Sequence, residues 1–354
     1  MKIAIVSPVM VPVPPKKYGG IERIVDELAR GLAQKGHEVT LFCCGGSTLK
    51  QEGITRVETS PYPTDEHREE NRRWELDQIA TVLRRQHEFD CIHFHYEPIV
   101  FRFFLEGNTI NFLDFFTVPL VVTFHNTTHI QAHEEYYRKT LSLYRHEMVY
   151  ISENQRQPLA FFPHTQVIYN AIPIEKFPFE AKKEEYLLFL GRITPFKGIL
   201  EAIFVAKKTK IPLIIVAKVD PVDKDFFEKE VKKEIDGKYV QYVGEANFFE
   251  KTEYLKKAKC LLFPILWEEP FGLVMIEALA CGTPVVAFRR GSVSEIIQDT
   301  INGFIVDTVD QMVEAVKKIE IISTKKCRET IEKRFSIDRM VCEYENLFKR
   351  IGLK

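Results

Sequence analysis

The chain has 354 residues, 45% of them hydrophobic and 28% charged, with a formal net charge of -1. That length exceeds what one hydrophobic core usually serves, so two domains are expected, and the balance of charge gives no global reason to expect a nucleic-acid partner. Seven cysteines, odd in number and without a CxxC pair, sit mostly in apolar runs such as "VTLFCC" and "KCLLF". That argues for reduced thiols in a cytoplasm rather than disulfides or a zinc site. The apolar N-terminal stretch is broken by prolines and lacks a small-residue cleavage site, so no signal peptide is expected, and no apolar run reaches the length of a membrane span. Peripheral contact with a membrane is left open, and the oligomeric state is unknown.

Short apolar runs alternate with amphipathic helical stretches from end to end, which is the mark of parallel α/β sheets. In the first half the strand candidates are "KIAIVS", "EVTLFCC", "DCIHFH", "PLVVTFH", "MVYIS" and "QVIYN". The first helix between them places Ile21, Ile24, Val25, Leu28 and Leu32 on one face and ends at Gly36. "NAIPIEKFPFEAKKEE" has two prolines, no period and a charged tail, and reads as a linker. The pattern then restarts with "YLLFLG", "PLIIVA", "YVQYVG", "CLLFPI", "TPVVAF" and "GFIVD". Two doubly wound, Rossmann-like domains follow, over 1–172 and 173–335, with a final helix over 336–354 that can return to the N-terminal domain. Two such sheets facing each other would hold a ligand in the cleft beyond their strand ends.

Candidate site residues lie beyond those strand ends. "YGG" brings Gly19 and Gly20 to a helix start, where backbone amides can approach a phosphate, although neither a dinucleotide fingerprint nor a Walker A pattern is present. "VTFHN" delivers His125, which can bond a hydroxyl or accept a proton. His129 and His133 have the spacing of a metal pair but no acidic or thiol partners nearby, so no metal is expected there. His93 and His95 point to one face of a strand, and a satisfied structural role is expected for both. Ser152 lacks a nucleophile elbow and reads as a helix cap or a polar contact in the cleft. In "LGRITPFKG", Arg192 and Lys197 offer a guanidinium fork and a point charge to a diphosphate. "WEEPFGLVMIEALACGTPVV" places Glu269 before Pro270, where a helix is expected to start, so that amides of Phe271, Gly272 and Leu273 favour an anion and Glu277 lies about two turns inside. Two acids flanking an anion site suit the hydroxyls on either side of a pyrophosphate, as in a nucleotide sugar.

The ordered series "YGGIER", "VTFHN", "YISEN", "VIYNAIPIEKF", "LGRITPFKG", "EEPFGLVMIEALACGTPVVA" and "NGFIVD" resembles glycosyltransferase family 4, retaining enzymes of GT-B fold. The resemblance implies that Glu269 binds donor-sugar hydroxyls, that Glu277 takes the nucleotide ribose, and that Arg192 and Lys197 hold the diphosphate. Gly20 and the amides of Gly272 and Leu273 complete the phosphate cradle, and His125 stands near the donor sugar and the attacking acceptor. It also implies retention at the anomeric carbon, a hydroxyl acceptor and no bound metal. Asn126 follows the histidine where an aspartate is common in the family, which bears on fine specificity. "YVGEANFFEKTEYL", where the family usually holds the base, has no aspartate but offers Glu245 or Glu250, so UDP is preferred to GDP. The "PPKKYGGIER" loop is similar to that of members using UDP-glucose, which becomes the first donor expected. The alternatives are a catalytically silent nucleotide-sugar-binding homologue, or a GT-B epimerase or phosphorylase.

Overall fold

The computed structural model describes residues 1–16, 19–64, 70–97, 102–105, 108–126 and 145–352. Two compact units divide the chain, Met1–Ala171 with Ile337–Lys354, and Ile172–Ser336.

The first unit contains the strands β1 (Lys2–Val6), β2 (Glu38–Cys44), β3 (Ile54–Ser60), β4 (Cys91–Phe94), β5 (Arg102–Leu105), β6 (Asn108–Asn111), β7 (Leu120–Phe124), β8 (Glu147–Tyr150) and β9 (Thr165–Val167). Seven of them form one parallel sheet in the order β3-β2-β1-β4-β7-β8-β9, and β5 pairs with β6 as an antiparallel hairpin. The central strands are buried along nearly their whole length, which is why they read as unbroken apolar runs rather than alternating ones. The sequence reading missed β3 because it is an edge strand, "ITRVETS", whose charged and hydroxyl side chains blunt an exposed ladder.

Two helices on this unit carry clear 3.6-residue stripes. Gly20–Gln34 buries Ile24, Val25, Leu28, Ala29 and Leu32. Ile337–Gly352 buries Met340, Val341, Tyr344, Leu347, Phe348 and Ile351. The two pack so closely that a Cβ at Gly31 would stand 2.4 Å from a methyl of Val341. Glu345 on the second helix anchors the crossing: Lys349 donates to it at 2.6 Å, His37 lies 3.2 Å away and Lys35 pairs with it at 2.9 Å. These partners hold its carboxyl down, from an ordinary 4.5 to about 2.

The second unit contains β10 (Leu187–Arg192), β11 (Leu213–Lys218), β12 (Val240–Gly244), β13 (Cys260–Phe263), β14 (Val285–Phe288) and β15 (Gly303–Val306), one for each apolar run read from its sequence. They form a parallel sheet in the order β12-β11-β10-β13-β14-β15. The order of winding reverses between β1 and β4 in the first sheet and between β10 and β13 in the second. Loops leaving the carboxyl ends of such a strand pair diverge, and that is where open α/β sheets bind ligands. Among the described residues no helix is long and apolar enough to cross a membrane.

Candidate active site

In the second unit the reversal point gathers charge. Arg192 is the last residue of β10 and lies in register with Lys218, the last of β11. Asp220 sits just beyond and is paired with both, Arg192 Nη1 at 3.2 Å and Lys218 Nζ at 2.9 Å. Burial works against the charge on Asp220, yet the two cations win and hold its carboxyl below the usual range. Asp223 lies 4.0 Å from Arg192 Nε, and there burial dominates and its carboxyl is raised.

Lys197 closes the short turn Pro195–Lys197 after β10 and reaches Glu269 Oε2 at 2.6 Å. The indole Nε1 of Trp267 donates to the same oxygen at 2.8 Å, and Lys197 Nζ lies 5.2 Å from the centre of that ring. One carboxylate oxygen, on a residue only 9% exposed, therefore takes two donors. Removing one member of so shielded a pair would leave an uncompensated charge.

The segment before the next helix departs from the expected geometry. The helix is Leu273–Ala280 and begins three residues after Pro270. Its cap, Gly272, has φ 79, and a Cβ there would meet Met275 Cε at 2.7 Å. Before it the backbone is tied to a neighbouring loop instead: Ser292 donates from its amide to Glu269 O at 3.0 Å and from its hydroxyl to Phe271 O at 2.6 Å. These bonds hold residues 269–271 in an open lead-in, so Leu273 supplies the first helical amide, while Phe271 and Gly272 precede the helix. Phe271 is buried, edge-on to Phe335 at 5.8 Å, and contributes packing.

Glu277 is consequently one turn into the helix rather than two. It is 6% exposed, and its Oε1 accepts from Lys251 Nζ at 2.5 Å. Lys251 also lies over the rings of Phe177 and Phe248, 5.6 and 5.3 Å from their centres. The far end of this helix is clamped by cations: Arg328 donates to Ala280 O at 2.7 Å and Lys183 to Cys281 O at 3.1 Å. Orphan carbonyls and the negative end of the helix are both satisfied there. Glu250 closes a capping box with Asn247, its Oε2 accepting from the Asn247 amide at 2.9 Å, and Glu245 is half-buried just after β12.

In the first unit Gly19 caps the helix that Gly20 begins, with φ 148. A Cβ at Gly19 would stand 2.6 Å from Pro15 Cβ and 3.0 Å from Glu22 Oε2, so only glycine fits this corner. Glu22, in the first turn of that helix, is buried, and burial pushes its carboxyl up to about 7.

His125 follows β7 and is 9% exposed. Its Nε2 lies 3.1 Å from His95 Nδ1, and the two rings stack at 5.3 Å. His93 Nε2 lies 2.7 Å from Thr123 Oγ1, which in turn lies 3.0 Å from the hydroxyl of Tyr344. Burial lowers His125 to about 3 and holds His93 and His95 well below the usual range, so all three rings are neutral at pH 7. The satisfied role expected of His93 and His95 is met on one side only, because His93 Nδ1 and His95 Nε2 have no partner among the described residues. Ser152 accepts from the amide of Gln155 as a helix cap. His129 and His133 lie outside the described residues.

Sequence reasoning missed Lys251, Thr123 and Tyr344, whose partners lie far away along the chain, and Asp220, which pairs with neighbouring Lys218 as well as with Arg192 28 residues before it. Trp267 was within reach: two residues before Glu269, in a stretch that Pro270 keeps out of a helix, it shares a side with the acid.

Comparison with known proteins gives the family and the fold. The family described as Glycosyltransferase Family 4 matches residues 18–176, and Glycosyl transferases group 1 matches residues 172–335. Fold and family together define a sugar-transferring enzyme of GT-B architecture. The chain belongs to the glycosyltransferases, matching the family 4 and group 1 domains in turn. An uncharacterized 41.2 kDa protein in the cps region of Klebsiella pneumoniae is 33% identical over 184 residues, which span 48% of this chain and about half of that relative, 48%. Glycogen synthase of Mycobacterium tuberculosis is 24% identical over 335 residues, 82% of this chain and 78% of that one. Among solved structures, sucrose-phosphate synthase from Thermosynechococcus elongatus superposes with a TM-score of 0.81 at 18% identity, covering 99% of each chain. HepE of Anabaena in complex with UDP has a TM-score of 0.76 at 16% identity, covering 99% of this chain and 100% of its own.

Proposed function

We propose that this enzyme moves a sugar, glucose in the first instance, from UDP to an acceptor hydroxyl with retention at the anomeric carbon. The acceptor class we assign is a growing glycan, a glycolipid or a natural-product glycoside. The observation that carries the reading is the Lys197–Glu269–Trp267 cluster beside Arg192 at the reversal point of the second sheet. A diphosphate would compete with Glu269 for Lys197 and with Asp220 and Asp223 for Arg192. Glu269, relieved of Lys197 but still held by the Trp267 N–H, would turn to hydroxyls of the donor sugar. Glu277, with Oε1 held by Lys251, would offer Oε2 to the ribose. The amide of Leu273, at a helix start, adds to the anion site.

In the proposed reaction the bond from the anomeric carbon to the phosphate oxygen breaks and a bond to the acceptor oxygen forms. The acceptor's proton passes to the leaving phosphate. Arg192 and Lys197 stabilise the charge that develops there, an interaction stronger in the transition state than in the ground state, and the scheme requires no metal. UDP as the leaving group is supported by the "YGGIER" loop and by a structural relative that binds UDP. His125 is the group in the first unit assigned to the donor sugar or the acceptor.

Incubation with UDP-glucose and a panel of hydroxyl acceptors, following release of UDP and the anomeric configuration of the product, tests the reading. Release of UDP with a retained configuration is expected. An inverted product, or turnover of another nucleotide sugar with none of UDP-glucose, would overturn the assignment.

A further inference from the structure

His125 ends a ladder of buried polar groups whose geometry selects one of its two neutral forms. Strands β4 and β7 run parallel with His93 opposite Val121 and Phe94 opposite Val122. The same register carried one residue on sets His95 beside Thr123, so His93, His95, Thr123 and His125 share one face of the sheet. The helix Ile337–Gly352 covers that face: the ring of Tyr344 lies 4.9 Å from that of His93, and Phe348 lies 5.5 Å away. His93, His95 and Thr123 are fully buried and Tyr344 is 1% exposed.

A neutral imidazole has one N–H and one bare nitrogen. His95 uses Nδ1 toward His125 and has no partner at Nε2 among the described residues. A buried N–H without an acceptor is rarer than a bare acceptor atom without a donor. The proton of His95 therefore belongs on Nδ1, where it is donated to His125 Nε2. His93 obeys the same rule, donating from Nε2 to Thr123 Oγ1 and leaving Nδ1 bare. With its Nε2 accepting, His125 must carry its own proton on Nδ1. Among the described residues that nitrogen has no hydrogen-bond partner, and His125 is the one imidazole of the three that retains accessible surface, 9%.

We infer that His95 is a positioning residue that fixes His125 as the Nδ1–H tautomer, so that His125 presents an N–H donor to an oxygen of the sugar or the acceptor and does not act as a base. This rests on the glycosyltransferase reading for what His125 touches, but the tautomer itself does not. It resolves the choice between bonding a hydroxyl and accepting a proton in favour of the first, and leaves the acceptor's proton to the leaving phosphate.

The test is a two-bond proton–nitrogen NMR correlation on the full chain, 15N-labelled at histidine, without any donor present, which decides the tautomer independently of turnover. His125 is expected to show a protonated Nδ1 and a bare Nε2. His95→Phe keeps an aromatic ring but removes the donor, and is expected to release His125 toward the Nε2–H form and lower kcat about fivefold to tenfold, the worth of one ordinary hydrogen bond, with UDP affinity unchanged. His95→Asn, whose amide can donate from near the position of Nδ1, is expected to restore the tautomer and most of the rate. A proton on Nε2 of His125 in the unmodified protein, or an unchanged tautomer in His95→Phe, would overturn the inference. Should His95→Phe fail to fold, the tautomer of the unmodified chain still decides.

Discussion

The candidate residues of the two units are held by opposite means. In the second unit charges answer charges: Arg192 with Asp220, Lys197 with Glu269, Lys251 with Glu277. In the first unit the ladder from Tyr344 to His125 is neutral, with three imidazoles kept uncharged by burial. An ion-paired cluster can exchange partners with an incoming anion provided the displaced carboxylate finds other donors, which for Glu269 are the Trp267 N–H and the hydroxyls of the proposed sugar. A buried neutral ladder cannot exchange, but it fixes orientation and proton position. The second unit is thus suited to take a charged donor and the first to aim a single group.

That contrast can be broken by substitution. Glu269→Ala leaves Lys197 without its carboxylate and removes the proposed sugar contact; sugar transfer should fall by on the order of a hundredfold or more while UDP binding persists, as read by kcat and by calorimetric titration. Arg192→Ala should act the other way round, weakening UDP about tenfold or more through loss of charge-assisted bonds to phosphate. Trp267→Phe sharpens the comparison, since it keeps the ring beside Lys197 and deletes only the N–H to Glu269. A severalfold rise in KM for the sugar donor is expected, about 1 kcal/mol, with UDP itself bound as before.

The smallest effect concerns stability alone. Glu345, held at about 2 by Lys349, Lys35 and His37, is a group whose folded value lies below its ordinary 4.5. Its stabilisation is therefore complete above pH 4.5 and is lost as pH falls toward 2. Glu345→Gln should lower the urea midpoint at pH 7 and converge on the unmodified protein in acid. A constant gap between the two across that range would mean that the ion pairs contribute nothing.

Most of the architecture was legible because parallel sheets demand continuous apolar strands, and twelve such runs stand out between amphipathic helices. What escaped had physical reasons. β3 carries charge because it is an edge. The helix after Glu269 starts late because Ser292, 23 residues beyond that acid, ties down its lead-in, and no local rule reports such a bond. The residue types of the site could be read from Arg192, Lys197, Glu269 and Glu277, but not their partners: Lys197 meets Glu269 across 72 residues, and Thr123 meets Tyr344 across 221. Local pattern sees the chemistry that a loop offers, whereas tertiary contact decides what holds it.

The measurement that bears most directly on the proposed function is thermal unfolding of the full chain against UDP, GDP, ADP, TDP and NAD, run in parallel on Arg192→Ala. A ligand at 100 times its Kd adds about 2.7 kcal/mol to the native state, enough to raise Tm visibly. The expected result is stabilisation by UDP above the other nucleotides, largely lost in the variant. Stabilisation by NAD alone, or an equal response to UDP in Arg192→Ala, would contradict the assignment of the second unit's charged cluster to a nucleoside diphosphate.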